Sequence, residues 1–169
     1  ELGSITFKYT ENEELGNVTG GGTFDYGATV ILTAIPEPHC DFVCWLDGNT
    51  ENPRSITIAG TATYTATFVL DTFALAITVN DATMGTTSGS GGYAYNSSAI
   101  AQATPNYGYV FKKWNDGNTD NPRSVVITQN SNFVANFVLD TFNITASSND
   151  VEKGTVTGSG KYPYNTDAI

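Results

Sequence analysis

The sequence predicts a mainly β protein, built as an elongated array of small β modules in tandem. Three observations carry this. A period of 69 residues links Gly16, Gly85 and Gly154, then Tyr26, Tyr95 and Tyr164, then Ile31, Ile100 and Ile169. Apolar residues alternate in short runs bounded by Gly, Pro, Asn and Asp, and no helical period is sustained. Charged residues make up only 14%, while Gly, Thr, Asn and Ser abound, the composition of an extracellular β-protein more than of a helical enzyme.

A fixed period of this length marks a repeat architecture. Residues 5–73 align on 74–142 without a gap, and 25 of the 69 positions are identical. The organisation read from this is repeat 1 at 1–73, repeat 2 at 74–142, and a partial repeat 3 at 143–169. The identities fall on Gly and Tyr in the first half, on WLDGNTENPRS (45–55) against WNDGNTDNPRS (114–124), and on FVLDTF at each join (68–73, 137–142). These are turn formers and large apolar residues. Folding alone requires them, and no nucleophile, base or ligand set recurs with them.

The elements follow in order along repeat 2. LAITV (75–79) alternates as a strand, and a Gly-rich turn follows near Gly85. A second strand carries Tyr93 and Tyr95 on one face. AIAQAT (99–104) reads as a third strand ended by Pro105, and GYVFKKW (108–114) as a fourth. SVVIT (124–128) and NFVANFVL (132–139) read as a closing hairpin around QNS. In repeat 1, Ile5, Phe7 and Tyr9 stand one place out of register with Leu75, Ile77 and Val79, which predicts a bulge or slipped start. FVLDTF has no Gly, Pro or Ser and reads as strand running into strand, a stiff join.

The bulk numbers exclude several classes. A net charge of −10 argues against nucleic acid, whose phosphates need clustered Lys and Arg. Residues 5–73 hold nine acids and two bases, and 74–142 hold four acids and three bases, so acidity is not a shared property of the copies. No apolar run is long enough to span a membrane as a helix. The opening residues have no basic segment followed by an apolar one, so a leader, where the parent protein has one, lies outside them.

One pattern ties these features together: GTTSGSGGYAY (85–95), Pro105, GYVFKKWNDG (108–117) and FVANF (133–137). It resembles the divergent internalin-B B-repeat family, also called the Listeria–Bacteroides repeat, over nearly all of the chain. Repeat 1 departs where HCDFVCWLDG (39–48) puts His39 and Cys40 in place of Gly108 and Tyr109. The resemblance implies a β-grasp-like module that occurs in strings in bacterial surface and secreted proteins, as stalk or adhesion segment. It implies no catalytic residues, and no cofactor is expected.

The candidate metal ligands are Asp116, Asn118 and Asp120, with Asp47, Asn49 and Glu51 in repeat 1. Alternating carboxylates open EF-type calcium loops. The rest of such a loop is missing: Asn121 and Asn52 stand where Gly is needed, and Ile127 and Ile58 where a bidentate Glu is needed. Asp-Gly followed by Pro122 or Pro53 instead suits a turn, with Asx side chains capping their own backbone and Arg123 or Arg54 pairing with the carboxylates. Cys40 and Cys44, four apart on a strand, lie too far apart for a disulfide without a kink, so they read as free thiols with Cys40 the more buried. His39 and Cys40 are adjacent, and adjacent strand residues face opposite sides, so no catalytic pair is expected. Tyr26, Tyr95 and Tyr164, with Phe24, Tyr93 and Tyr162, read as core or rim aromatics, against a glycan-stacking face. The sequons at Asn17, Asn96 and Asn143 fall at non-equivalent positions and carry no weight.

The expected function is a non-catalytic repeat segment of a bacterial secreted or cell-surface protein, acting as stalk or spacer and in adhesion. The alternative is a ligand-binding module for glycan or calcium. Partners would be a host or cell-surface protein or a glycan. Trp45 and Trp114 are expected to anchor equivalent cores. The partial repeat 143–169 lacks the Trp and the closing strands, so it needs contacts from the preceding repeat or from a second chain, and a tail-mediated dimer is the expected answer.

Overall fold

A computed structural model describes residues 2–9 and 14–167. Readings placed on Ile169 and on the side chains of Phe7 and Tyr9 lie outside the described residues. The chain divides into two compact units, Glu1–Thr72 and Phe73–Ile169. The first holds β1 (Leu2–Tyr9), β2 (Gly16–Thr19), β3 (Gly22–Asp25), β4 (Thr29–Pro36), β5 (Cys40–Trp45), β6 (Arg54–Thr57) and β7 (Ala62–Leu70). The second holds β8 (Thr72–Val79), β9 (Gly85–Ser88), β10 (Gly91–Ala94), β11 (Ser98–Pro105), β12 (Tyr109–Trp114), β13 (Arg123–Val126) and β14 (Ser131–Leu139), then the tail strands β15 (Thr141–Ile144) and β16 (Gly160–Pro163). The described residues contain no helix. The mainly β, tandem-module reading holds.

Each module is a pair of small sheets. A four-stranded sheet runs β3-β1-β7-β5 in the first and β10-β8-β14-β12 in the second. In each, the first and last strands of the module pair in parallel: Ile5 lies opposite Ala62, and Leu75 opposite Ser131. Numbered in chain order the four strands run 2-1-4-3, the β-grasp arrangement. A parallel pair needs a long crossover, usually a helix. Here the crossover is a second sheet, β2-β4-β6 or β9-β11-β13, antiparallel throughout.

The pairing also explains the offset start of repeat 1. Ala62 and Ser131 are 69 apart, but their partners Ile5 and Leu75 are 70 apart. Ile5 therefore occupies the place of Leu75, and the slipped register is real. Repeat 1 makes up the difference with one more residue between Ile5 and Gly16 than repeat 2 has between Leu75 and Gly85.

The core lies between the two sheets of each module. Trp45 and Trp114 are fully buried, at 0% exposure, as anchors should be. Around Trp45 pack Ile5, Val18, Val30, Leu32, Ile58 and Phe68; around Trp114 pack Leu75, Ile77, Ala101, Ile127 and Phe137. The recurring Gly16 and Gly85 make room for those phenylalanines. A Cβ at Gly16 would stand 2.6 Å from the Phe68 ring, and one at Gly85 would stand 2.7 Å from Phe137. At Gly154, in the tail, nothing stands within 4 Å.

Three local readings need correction. Residues 124–128 and 132–139 do not form a hairpin: β13 pairs with β11 in the small sheet, whereas β14 pairs with β8 and β12 in the large one. The short QNS link looks like a hairpin loop, but it carries the chain from one layer to the other. The Gly-rich segment at Gly85 is a strand, paired with Gln102–Pro105. Tyr95 lies past the end of β10, in the following turn, and does not share the strand with Tyr93.

One further feature explains a spacing. Phe42 and Trp45 are three apart, as are Phe111 and Trp114, so a regular strand would point them to opposite faces. Pairing skips one residue between Phe42 and Cys44, and between Phe111 and Lys113. This bulge turns both rings inward. Their centroids then lie 5.6 Å apart in the first module and 5.2 Å in the second.

Candidate functional site

The segment from Trp45 to Ser55, repeated from Trp114 to Ser124, is built from its backbone outward. Strand β5 or β12 ends at the Trp. Gly48 and Gly117, at φ 83° and 90°, close a turn whose amide donates to the Trp carbonyl. A glycine takes that conformation without cost. The next two polar side chains cap the loop. The amide of Asn118 donates to Asp116 Oδ1 (3.1 Å), and that of Asp120 to Asn118 Oδ1 (2.8 Å). Repeat 1 copies this, with Asn49 to Asp47 at 3.2 Å and Glu51 to Asn49 at 2.8 Å. The indole N–H of Trp114 donates to the Asp120 carbonyl (2.8 Å), and that of Trp45 to the Glu51 carbonyl (2.9 Å). The loop thus supplies the acceptor that a buried tryptophan needs.

The first carboxylate of each loop is met by arginine. Arg54 Nη1 and Nη2 reach the two oxygens of Asp47 at 2.9 and 2.6 Å, a bidentate pair. Arg123 Nη1 reaches Asp116 Oδ2 at 2.7 Å. Each guanidinium also stacks on an aromatic ring, Arg54 over Tyr64 at 5.1 Å and Arg123 over Phe133 at 4.3 Å. The Arg54 hydrogen bond holds the Asp47 carboxyl below its ordinary range. Burial would raise Asp116, but Arg123 and the Asn118 amide outweigh it and lower that group as well. These oxygens therefore face N–H donors and a cation. Among the described residues no group of three or more His, Cys, Asp or Glu is placed to hold a metal ion.

Two residues of this block do more than the sequence disclosed. Asn121 Oδ1 accepts from the Ala103 amide (2.8 Å) while its Nδ2 donates to the Ala103 carbonyl (2.7 Å). Asn52 does the same to Ala34, at 2.9 and 2.7 Å. The side chain stands in for a strand neighbour beyond the end of β13 or β6. Both asparagines precede a cis proline. The identical Asn-Pro pair was the available signal, though it read only as a turn.

The remaining candidates separate. Cys40 is buried and Cys44 half-buried, and both are free thiols. Burial, then the carboxylates of Asp71, Glu37 and Asp41, push the Cys40 thiol up, away from reactive thiolate. His39 takes the left-handed conformation of the glycine it replaces, φ 63° against 85° at Gly108. The turn survives: the Asp71 amide donates to the His39 carbonyl, and Asp140 to that of Gly108, both at 2.9 Å. Nδ1 of His39 lies 3.7 Å from the Asp71 carboxylate. Phe24 and Tyr93 pack against their cores, whereas Tyr26 is 65% exposed.

The tail is ordered on the preceding module. Its hairpin pairs Phe142 with Tyr162, as Gly3 pairs with Phe24 in the first module. Ser159 Oγ takes the Ala146 amide at 2.9 Å, as Ser90 takes that of Ile77. Tyr164 lies on the 107–109 turn, its ring 5.3 Å from Tyr107 and 6.4 Å from Tyr109. Of the two sources of contact expected for this segment, contacts from the preceding repeat are present within the chain.

The fold and the loops define a class of small all-β repeat modules. The divergent InlB B-repeat domain matches residues 6–72 and again 75–141. The chain belongs to this family, in two tandem copies, and the family is typical of the repeats of bacterial surface proteins. No curated protein and no solved structure matches the chain.

Proposed function

We propose that this chain is a stalk or spacer segment of a secreted or surface-anchored bacterial protein, positioning another domain and contributing to adhesion through that placement. One observation supports this most. The distinctive groups of the shared Trp-to-Ser loop are spent inside the module: Trp45 and Trp114 on the core, Asp47 and Asp116 on arginines, and Asn52 and Asn121 on the strand ends. A ligand site kept in both copies would leave shared polar groups facing outward. The repeat boundaries in this reading are those of the period, 1–73 and 74–142, with 143–169 opening a third copy.

The loop carboxylates act in this reading as structural clips and not as calcium ligands. Thermal melting of the chain with calcium and with a chelator tests it, because a ligand that binds only the folded state raises the melting temperature. Equal melting temperatures are expected, together with no binding on a glycan array. A rise with calcium, or a glycan retained by the chain, overturns the stalk reading in favour of a binding module.

A further inference from the structure

We propose that the turn Tyr107–Gly108–Tyr109 is a socket for the hairpin of the repeat that follows it, and that Tyr164 is the plug. The proposal rests on the structural-repeat reading and says how one repeat is fastened to the next. Strands β15 and β16 carry the strand pairing and the serine clip that open a module, so they are the first hairpin of a third copy. Their firmest anchor is not their own face. Ile144 holds the place that Leu75 holds in the second module, yet it is 42% exposed where Leu75 is 2% exposed. What seats the hairpin is the other end.

There the Tyr164 ring lies flat against Gly108. A Cβ on Gly108 would overlap ring carbons Cγ, Cδ1 and Cε1 of Tyr164, so only glycine leaves the seat open. Tyr107, Tyr109 and Phe142 surround the ring edge-on or tilted, at centroid distances of 5.3, 6.4 and 6.4 Å. Tyr107 stays 82% exposed with Tyr164 in place, so it meets that ring with one edge only. A chain of backbone bonds runs alongside. Asp140 donates to the Gly108 carbonyl (2.9 Å), and Tyr164 donates to the Asp140 carbonyl (2.8 Å). The socket, the join and the plug are thus tied through one residue, and Asp140 Oδ1 takes the amide of Thr141 at 2.7 Å where the next strand begins. The absence of a side chain at Gly108 is thus what lets Tyr164 seat in this way.

The test uses the full chain and compares two glycines. Gly108 and Gly117 both have positive φ, at 85° and 90°, so alanine strains either turn; only at Gly108 does the new Cβ meet Tyr164, since nothing lies within 4 Å at Gly117. Each aromatic pair is worth roughly 2–10-fold in an opening equilibrium. Gly108→Ala should therefore speed amide exchange at Tyr164 by about tenfold or more, while Gly117→Ala leaves it unchanged. In the unaltered chain the Gly108 α-protons should show an upfield ring-current shift, which Tyr164→Ala abolishes without disturbing the Trp114 indole signal. Equal exchange in the two alanine variants overturns the proposal. So do Gly108 protons that do not respond to Tyr164→Ala, and that arm decides even where Gly108→Ala unfolds the module. None of these readouts depends on ligand binding, so failure here leaves the stalk reading standing, and failure of that reading leaves the socket.

Discussion

In the first module the small sheet supplies Val18, Val30, Leu32 and Ala34 to the core; in the second the same sheet supplies Ala99, Ala101 and Ala103, with half-buried Thr87 in the place of Val18. The large sheets differ in the opposite sense. Where the second module packs Phe73 against its core, the first has Gly3, whose absent Cβ would stand 2.6 Å from Ile58 and 2.8 Å from the Gly60 carbonyl. At these positions the two sheets differ in opposite senses, while Trp45 and Trp114 stay put between them. The period preserves the two anchors and not the size of each side chain around them, and close-packed interiors tolerate such divergence when neighbouring side chains change together.

Breaking that balance gives the largest effects. Trp45→Ala or Trp114→Ala removes the anchor and should cost roughly 3–5 kcal/mol in denaturant unfolding. Exchanging one member of the unequal pair sharpens the comparison. Leu32→Ala, which imports the second module's residue, should cost about 2–5 kcal/mol because no Phe73 stands ready to fill the space. Ala101→Leu, the reverse change, should cost about 1–3 kcal/mol by overpacking. If both exchanges prove neutral, the two cores are not balanced in this way.

A smaller effect is expected where the modules agree. Asn52 and Asn121 make the same two hydrogen bonds at the same lengths to within about a tenth of an ångström. Asn→Ala at either site strands a backbone amide and a carbonyl, at about 1–3 kcal/mol. The cost should be alike in both modules, with faster exchange at the Ala34 or Ala103 amide. A clear inequality between the two would show that the surrounding cores, and not the clip itself, set its worth.

These particulars show what the sequence could disclose. The period, the Trp anchors and the slipped start at Ile5 were legible because each is a matter of spacing, and spacing survives into the fold. The partner of Ser124–Thr128 was not. Alternation tells which residues share a face but not which sheet receives the strand, and that choice is made by contacts distant in sequence, such as Ile100 opposite Ser124. The strand at Gly85–Ser88 was hidden for another reason. Its glycine is demanded by the Phe137 ring, not by a turn, and both demands write the same letter. At the candidate site the turn chemistry was legible in Asp-Gly and Asn-Pro. The double bond of Asn121 to Ala103 was not, since nothing local names a partner 18 residues away.

The arginine clips differ between the modules, and the difference should be visible in acid. Arg54 grips both oxygens of Asp47, while a single contact joins Arg123 Nη1 to Asp116. The carboxylate side chains are 49% and 39% exposed, so solvent screening holds each clip to about 1 kcal/mol or less. Both carboxyls lie below their ordinary value in the folded chain. The folded state therefore binds fewer protons than the unfolded one as the pH nears an ordinary carboxyl value of about 4. The stability each clip contributes is complete above that value and is lost as the pH falls through the lowered one. Asp47→Asn should flatten the acid side of the melting-temperature profile, and Asp116→Asn should flatten it less. Melting curves of the two variants between pH 7 and about 3 make the comparison. Should Asp116→Asn prove the more damaging, the second oxygen contact of Arg54 adds nothing, and the closer stacking of Arg123 on Phe133, 4.3 against 5.1 Å, is what orders the two clips.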